Sequence, residues 1–262
     1  MKKLNARCVQ IKQLTQTDIR VMFELLAEYY ANVQFEQFQK DLFAKDYVFL
    51  LCCAQSKQIK GFSTIVSIES ELNQKKVRGF FSGDTVVHKD YWGQGTLGVA
   101  FLKFLFLQKL RRPLEPLYWF LISKGYKTYL LMANNFAWHY PRYEQPTPEN
   151  VQSLINGFAL QLYPDTYDQT RGIIKGVSQD SKDHLKSHIA PIGEALLKNN
   201  PRVAFFQEHN PHWQQGEELA CLAEMTLGMP FKYQAKFLWR KAQKYLPDWR
   251  SSKLKQNEDA VG

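Results

Sequence analysis

Gly93-Gln94-Gly95-Thr96-Leu97-Gly98 has the spacing G-x-G-x-x-G, and the way it is read decides the fold. As a dinucleotide fingerprint it needs an opening strand, a βαβ unit, and an acidic residue about 20 positions on, at the end of the next strand. The chain meets those terms poorly. Several strand-like runs precede the glycines, and five residues, His88 to Trp92, separate the last strand residue Val87 from Gly93. The acidic residue at about the right distance is Glu115, held between Pro113 and Pro116 and placed before a strand. The physics of the loop does not depend on the fingerprint. Small residues running into a helix expose several N–H groups at the positive end of the helix dipole, which suits a pyrophosphate. A phosphate-bearing cofactor is expected here, and NAD is not the favoured one. The competing reading is that the glycines only permit a tight loop and close helix packing.

The rest of the chain bounds what such a loop can serve. Its 262 residues are 45% hydrophobic and 14% aromatic, enough for a sizeable core. The formal charge of +9 favours an anionic partner: an acidic lipid surface, or a phosphorylated cofactor or carrier. Basic residues are scattered, with short clusters at Lys75-Lys76, Arg111-Arg112 and the tail, so no nucleic-acid partner is expected. Cys8, Cys52, Cys53 and Cys221 lack metal spacing and read as reduced, packed thiols, and no metal is expected. Two lysines near the N-terminus lead into no apolar segment, and Leu97 to Leu110 is too short for a bilayer and contains Lys103. These features point to a cytoplasmic protein without a transmembrane segment.

Periodicity gives the order of elements. A strand fits Ala6 to Gln13, a helix begins at Thr17-Asp18, and a second helix fits Phe35 to Lys45. Strands follow at Tyr47 to Ala54, Ile59 to Glu69 and Val77 to Val87, in hairpin succession. A helix from Leu97 to Arg111, a strand from Tyr118 to Ile122 and a helix opened by Lys124-Gly125 complete this half. Thr147-Pro148-Glu149 starts a further helix, to about Leu162. Arg202 to Glu208 and Glu217 to Met225 read as a strand pair, and Phe231 to Tyr245 as an amphipathic basic helix. The fold expected is mixed α/β: a mostly antiparallel sheet with helices on both faces.

Val86-Val87-His88-Lys89-Asp90-Tyr91-Trp92-Gly93-Gln94-Gly95-Thr96-Leu97-Gly98 resembles the cofactor loop of the GNAT superfamily, the acyl-CoA-dependent N-acyltransferases. There a strand ends in valine and a few residues lead to Arg/Gln-x-x-Gly-x-Gly/Ala at a helix start. Here Trp92 stands where Arg or Gln is usual and Leu97 where Gly or Ala is usual, with Gly98 next; Ser123 takes the place of an Asn that commonly follows the next strand. The resemblance covers residues 5 to 140 and, more weakly, 202 to 226. It implies a GNAT-like core over 1–140, a mainly helical insertion over 141–200, a closing hairpin and helix over 201–250, and a tail from 251.

The resemblance also implies roles. Val86 and Val87 would pair with a pantetheine arm where two central strands splay. Trp92, Gly93, Gln94, Gly95, Thr96, Leu97 and Gly98 would hold the CoA pyrophosphate. Asp84, three residues before Val87, is the first choice for base or water relay, with Ser82 and Val86 placed on its face by alternation. Glu69 and His88 are weaker alternatives. The family often uses a tyrosine on the helix after the fifth strand as the acid, and Tyr129 or Tyr126 fits. His209 and His212, across a proline, are a weak metal signal. The expected activity is transfer of an acyl group, acetyl first, from acyl-CoA to a small-molecule amine. A synthase drawing long chains from an acyl carrier protein, and a CoA-binding regulatory module without catalysis, remain the alternatives.

Overall fold

The computed structural model describes residues 3–72, 75–175, 184–185 and 192–229. Met1–Thr226 forms one compact unit and Leu227–Gly262 a second; the helix expected over 231–245 and the tail lie outside the described residues.

Strand β1 (Leu4–Gln10) ends in a 3-10 turn and leads to helix α1 (Gln16–Tyr29). The cap of α1 is Thr15 rather than Thr17: its hydroxyl accepts from the Asp18 amide, and the Asp18 carboxylate accepts from the Thr15 amide. A two-residue strand β2 (Tyr30–Ala31) and helix α2 (Phe35–Phe43) follow. Then come β3 (Tyr47–Cys53), β4 (Ile59–Leu72), β5 (Lys75–Val87), α3 (Thr96–Arg111), β6 (Leu117–Ser123) and α4 (Tyr126–Asn135). The remainder is β7 (His139–Tyr140), α5 (Glu149–Leu162), β8 (Tyr167–Asp168), β9 (Ile173–Ile174), β10 (His184–Leu185), α6 (Glu194–Asn199), α7 (Pro201–His209) and β11 (Glu218–Glu224).

The main sheet runs β1-β3-β4-β5-β6-β11-β9-β8, with β7 also beside β11. β5 and β6 are parallel and the other pairs are antiparallel, so the mixed, mostly antiparallel sheet with flanking helices is what the structure contains. Alternation along the strands divides the core. Val48, Leu50, Phe62 and Val86 pack against α1 and α2. On the same face of β4, Ile68 joins Val77, Phe81 and Phe120 beneath Leu154, Ile155 and Phe158 of α5. The opposite face receives α3, where Phe101 and Phe104 meet Phe49, Phe80 and Trp119 edge-on or tilted. Helix α5, from the segment expected to be an insertion, packs on this face of the sheet.

Residues 202 to 208, expected as a strand, are helical. Asn200 caps α7 by accepting from the Arg202 amide, Pro201 stands in the first turn, and Val203 and Phe206 bury one face at helical spacing. A short apolar run fits either period, and the cap and proline outweigh its strand-like length. β11, the other half of the expected hairpin, pairs instead with β6, from Leu219↔Ser123 to Glu224↔Tyr118. Among the described residues no helix is long and apolar enough to cross a membrane.

Candidate functional site: a gap between β5 and β6

β5 and β6 pair from Arg78↔Leu117 to Ser82↔Leu121 and no further, although β5 stays paired with β4 to Gly61↔Val87. The cause is a bulge. Ser63↔Thr85 and Ile65↔Ser82 leave two residues, Gly83 and Asp84, opposite Thr64 alone. An extra residue bends its strand and sharpens its twist, which carries the end of β5 away from β6. Glycine suits the bend, because a Cβ on Gly83 would lie 2.6 Å from Thr64 Oγ1 and one of the two would have to shift. Thr64 is fully buried and its hydroxyl has no partner among the described residues.

The register fixes which groups face the gap. His88 N donates to the Lys60 carbonyl at 2.8 Å, so the opposed pairs Gly61↔Val87 and Ser63↔Thr85 are non-hydrogen-bonded pairs. The N–H and C=O of Thr85 and Val87 therefore turn away from β4, into the space β6 has left. These are the groups a strand-like arm would use.

Beyond Val87 the chain makes a short 3-10 turn over Lys89–Tyr91 and enters α3 through Trp92 to Gly95. Gly93 and Gly95 have φ of +78° and +70°, the left-handed region that glycine alone enters without strain. Gly95 caps the helix without a side chain, and no acidic residue stands in the first turn. The amides of Thr96, Leu97 and Gly98 meet no acceptor among the described residues, the first intrahelical bond being Val99 N to Gly95 O. A Cβ on Gly93, Gly95 or Gly98 would meet nothing within 4 Å. Gln94 turns inward instead, its Oε1 accepting from Leu4 N at 3.1 Å. The loop offers what a pyrophosphate needs: uncapped donors, open space and no acidic residue in the first turn of α3.

The dinucleotide reading fares worse. The βαβ unit it requires is present, since β5, α3 and β6 form one, but its acidic residue is engaged elsewhere. Glu115 lies before β6 and its carboxylate pairs with Arg78 at 2.8 Å and Arg112 at 3.4 Å.

The structure separates the other candidates. Asp84 sits in the bulge beside the gap, half-buried. The bulge breaks the alternation expected around it: Ser82 accepts from the Trp119 indole at 2.9 Å on the α3 side, whereas Val86 packs among α1 and α2. Glu69 lies farther along β4, opposite Arg78. His88 accepts from the Asp90 amide at 3.3 Å. Tyr126 opens α4 and is half-buried. Tyr129 is a core residue: 1% exposed, its hydroxyl donating to the Pro141 carbonyl at 3.2 Å, its ring against Phe205 and Phe206 of α7. Burial pushes its pKa well up, and the α7 helix that the sequence reading made a strand is what encloses it. His209 stacks on Phe205 and turns Nδ1 to the Phe205 carbonyl. Among the described residues no group of three His, Cys, Asp or Glu side chains could hold a metal.

Three side chains around the ends of α1 and β6 were not singled out by the sequence. The Tyr29 hydroxyl, at the end of α1, accepts from the Lys89 amide at 2.7 Å. Lys127, in the first turn of α4, places its ammonium 5.6 Å from the Trp92 ring centre, and Lys124 lies 5.2 Å from the Tyr30 ring. Only the basic Lys124 and Lys127 flanking the start of α4 could have signalled this.

No protein-family profile and no curated protein matches the chain. Solved structures do. A conserved protein of unknown function from Enterococcus faecalis V583, described as a probable N-acyltransferase, is 15% identical over 52% of this chain and 33% of its own, with a TM-score of 0.38. A GCN5-related N-acetyltransferase from Kribbella flavida is 13% identical over 52% and 34%, TM-score 0.38. A GNAT-family acetyltransferase from Bacillus anthracis is 12% identical over 51% and 79%, TM-score 0.34. The chain spans about a third of the length of the first two. Likeness at this level carries no argument about chemistry. Among the described residues the architecture itself has a single parallel strand pair, a bulge, a gap and a glycine loop at its end, in a mixed, mostly antiparallel sheet flanked by helices.

Proposed function

We propose that the chain is an acyltransferase that takes an acyl group, acetyl in the first instance, from a CoA thioester and delivers it to an amine. The observation that carries this reading is the gap opened by the Gly83–Asp84 bulge. It presents the main-chain groups of Thr85 and Val87 to an extended amide-bearing arm. The uncapped α3 amides at its end suit the diphosphate to which such an arm is attached.

In this reading the amine nitrogen attacks the thioester carbonyl carbon, a C–N bond forms and the C–S bond breaks. Asp84, at the bend, takes the amine proton through a water, and the leaving thiolate is protonated from the α4 side. Tyr126 is the tyrosine for that step, since the Tyr129 hydroxyl is bound to Pro141 and enclosed. A general base contributes about 10²–10⁴-fold. The test is thiol release from acetyl-CoA over a panel of amines, with an acyl carrier protein thioester as a second donor. Asp84→Asn is expected to lose at least about a hundredfold in kcat; full activity in that variant would remove Asp84 from the chemistry.

The sealed Tyr129 favours a second reading, a domain that binds CoA esters and acts on a partner without transfer. CoA binding with no turnover on any amine supports it.

A further inference from the structure

We infer that Trp92 is a built-in competitor of the acyl donor, and selects donors by the amide in their arm. The inference rests on the reading of the gap as a donor site. The Trp92 indole N–H donates to the Val87 carbonyl at 2.6 Å. That carbonyl is one of the few main-chain acceptors the register turns into the gap, and a strand-like arm laid along β5 needs it. The indole therefore already makes the bond that an incoming amide would make.

The ring is placed to hold that position. Its centre lies 6.2 Å from the Tyr29 ring on the α1 side, and the Lys127 ammonium stands over it from α4 on the β6 side. Tyr29 is in turn fixed by the Lys89 amide. Trp92 thus reaches across the mouth of the gap between the two strand ends that have separated. It has room to leave by a side-chain rotation, because the residue is 48% exposed.

A ligand with phosphates alone can use the α3 amides without disturbing the indole. A ligand with a pantetheine arm must replace the indole N–H by its own amide N–H at the Val87 carbonyl. Trp92 subtracts from donor affinity by the worth of one hydrogen bond, and it does so only for donors that carry the arm.

The experiment compares wild-type protein with Trp92→Phe, which keeps an aromatic ring and loses the N–H. Two probes are titrated by calorimetry: CoA, and adenosine 3′,5′-bisphosphate, which has phosphates and no amide arm. CoA is expected to bind the variant about threefold to tenfold more tightly, the change that one net hydrogen bond gives, and the bisphosphate equally to both proteins. The Trp92 share of the fluorescence, taken as wild type minus variant, is expected to change with CoA and not with the bisphosphate. CoA binding that is equal or weaker in the variant, or a gain that the bisphosphate shares, overturns the role of Trp92 and leaves the donor site standing. Failure of both proteins to bind either probe overturns the donor site, and the inference with it.

Discussion

Helices α1 and α3 begin in opposite ways. At α1, Thr15 and Asp18 exchange hydrogen bonds, so that two of the amides every helix start leaves over are satisfied by side chains. At α3 the cap is a left-handed glycine, the first turn lacks an acidic residue, and the amides of Thr96, Leu97 and Gly98 meet no acceptor among the described residues. A glycine in place of a side-chain cap costs only about a few tenths of a kcal/mol, and α3 carries it where β5 has parted from β6. In the proposed function the first start serves stability and the second serves a ligand.

Giving α3 what α1 has should break the contrast most sharply. Gly98→Asp puts a carboxylate in the first turn, where there is room for it. Screened repulsion of about 2 kcal/mol against a diphosphate should weaken CoA binding by tens-fold, measured by calorimetry, with thermal stability unchanged or raised. Taking from α1 what α3 lacks gives the reverse: Thr15→Ala should cost about 1 kcal/mol in denaturant unfolding and leave CoA affinity as it was. Tyr129→Phe tests whether the enclosed hydroxyl is structural. It should lose no more than about 1 kcal/mol of stability and keep whatever turnover the wild type has; a collapse of kcat with intact folding would return Tyr129 to the chemistry.

The smallest effect is one of pH, away from the gap. His139 is 1% exposed, its Nδ1 lies 2.7 Å from the Phe136 carbonyl, and its Nε2 has no partner among the described residues. Burial, helped by Arg142 and Arg202 and opposed by the Phe136 carbonyl and Glu144, holds its pKa below the ordinary value of 6.5. As pH falls through about 6.5 the unfolded chain takes up the proton first. Its contribution is therefore whole above that pH and declines below it. Unfolding at pH 7.5 and 5.5 should show less of this decline in His139→Leu than in the wild type.

Much of the core was legible because its periods are plain. Val48 and Leu50 against Phe49 and Leu51 announce a strand buried on both faces, and the glycine loop announces an anion-ready helix start. Residues 202 to 208 misled because four apolar residues in a row fit either period, while the decisive cap lay two residues upstream at Asn200. The site was half legible. Asp84 lies near the end of its strand as expected, but the face it shares was not legible, because the bulge that separates Ser82 from Val86 depends on the partner strand offering only Thr64. Tyr129 could not be read as enclosed without the placement of α7, and the Trp92 bond to Val87 is a matter of rotamer rather than of spacing.

In the proposed function the gap-facing groups of β5 and the first turn of α3 together bind the arm and diphosphate of a thioester carrier. Amide-resolved NMR of the ¹⁵N-labelled protein titrated with CoA tests it most directly. The amides of Thr85, Val87, Thr96, Leu97 and Gly98 should shift together, saturating with one dissociation constant. Saturable CoA binding that leaves those five amides unmoved, or no binding at all, would contradict the account.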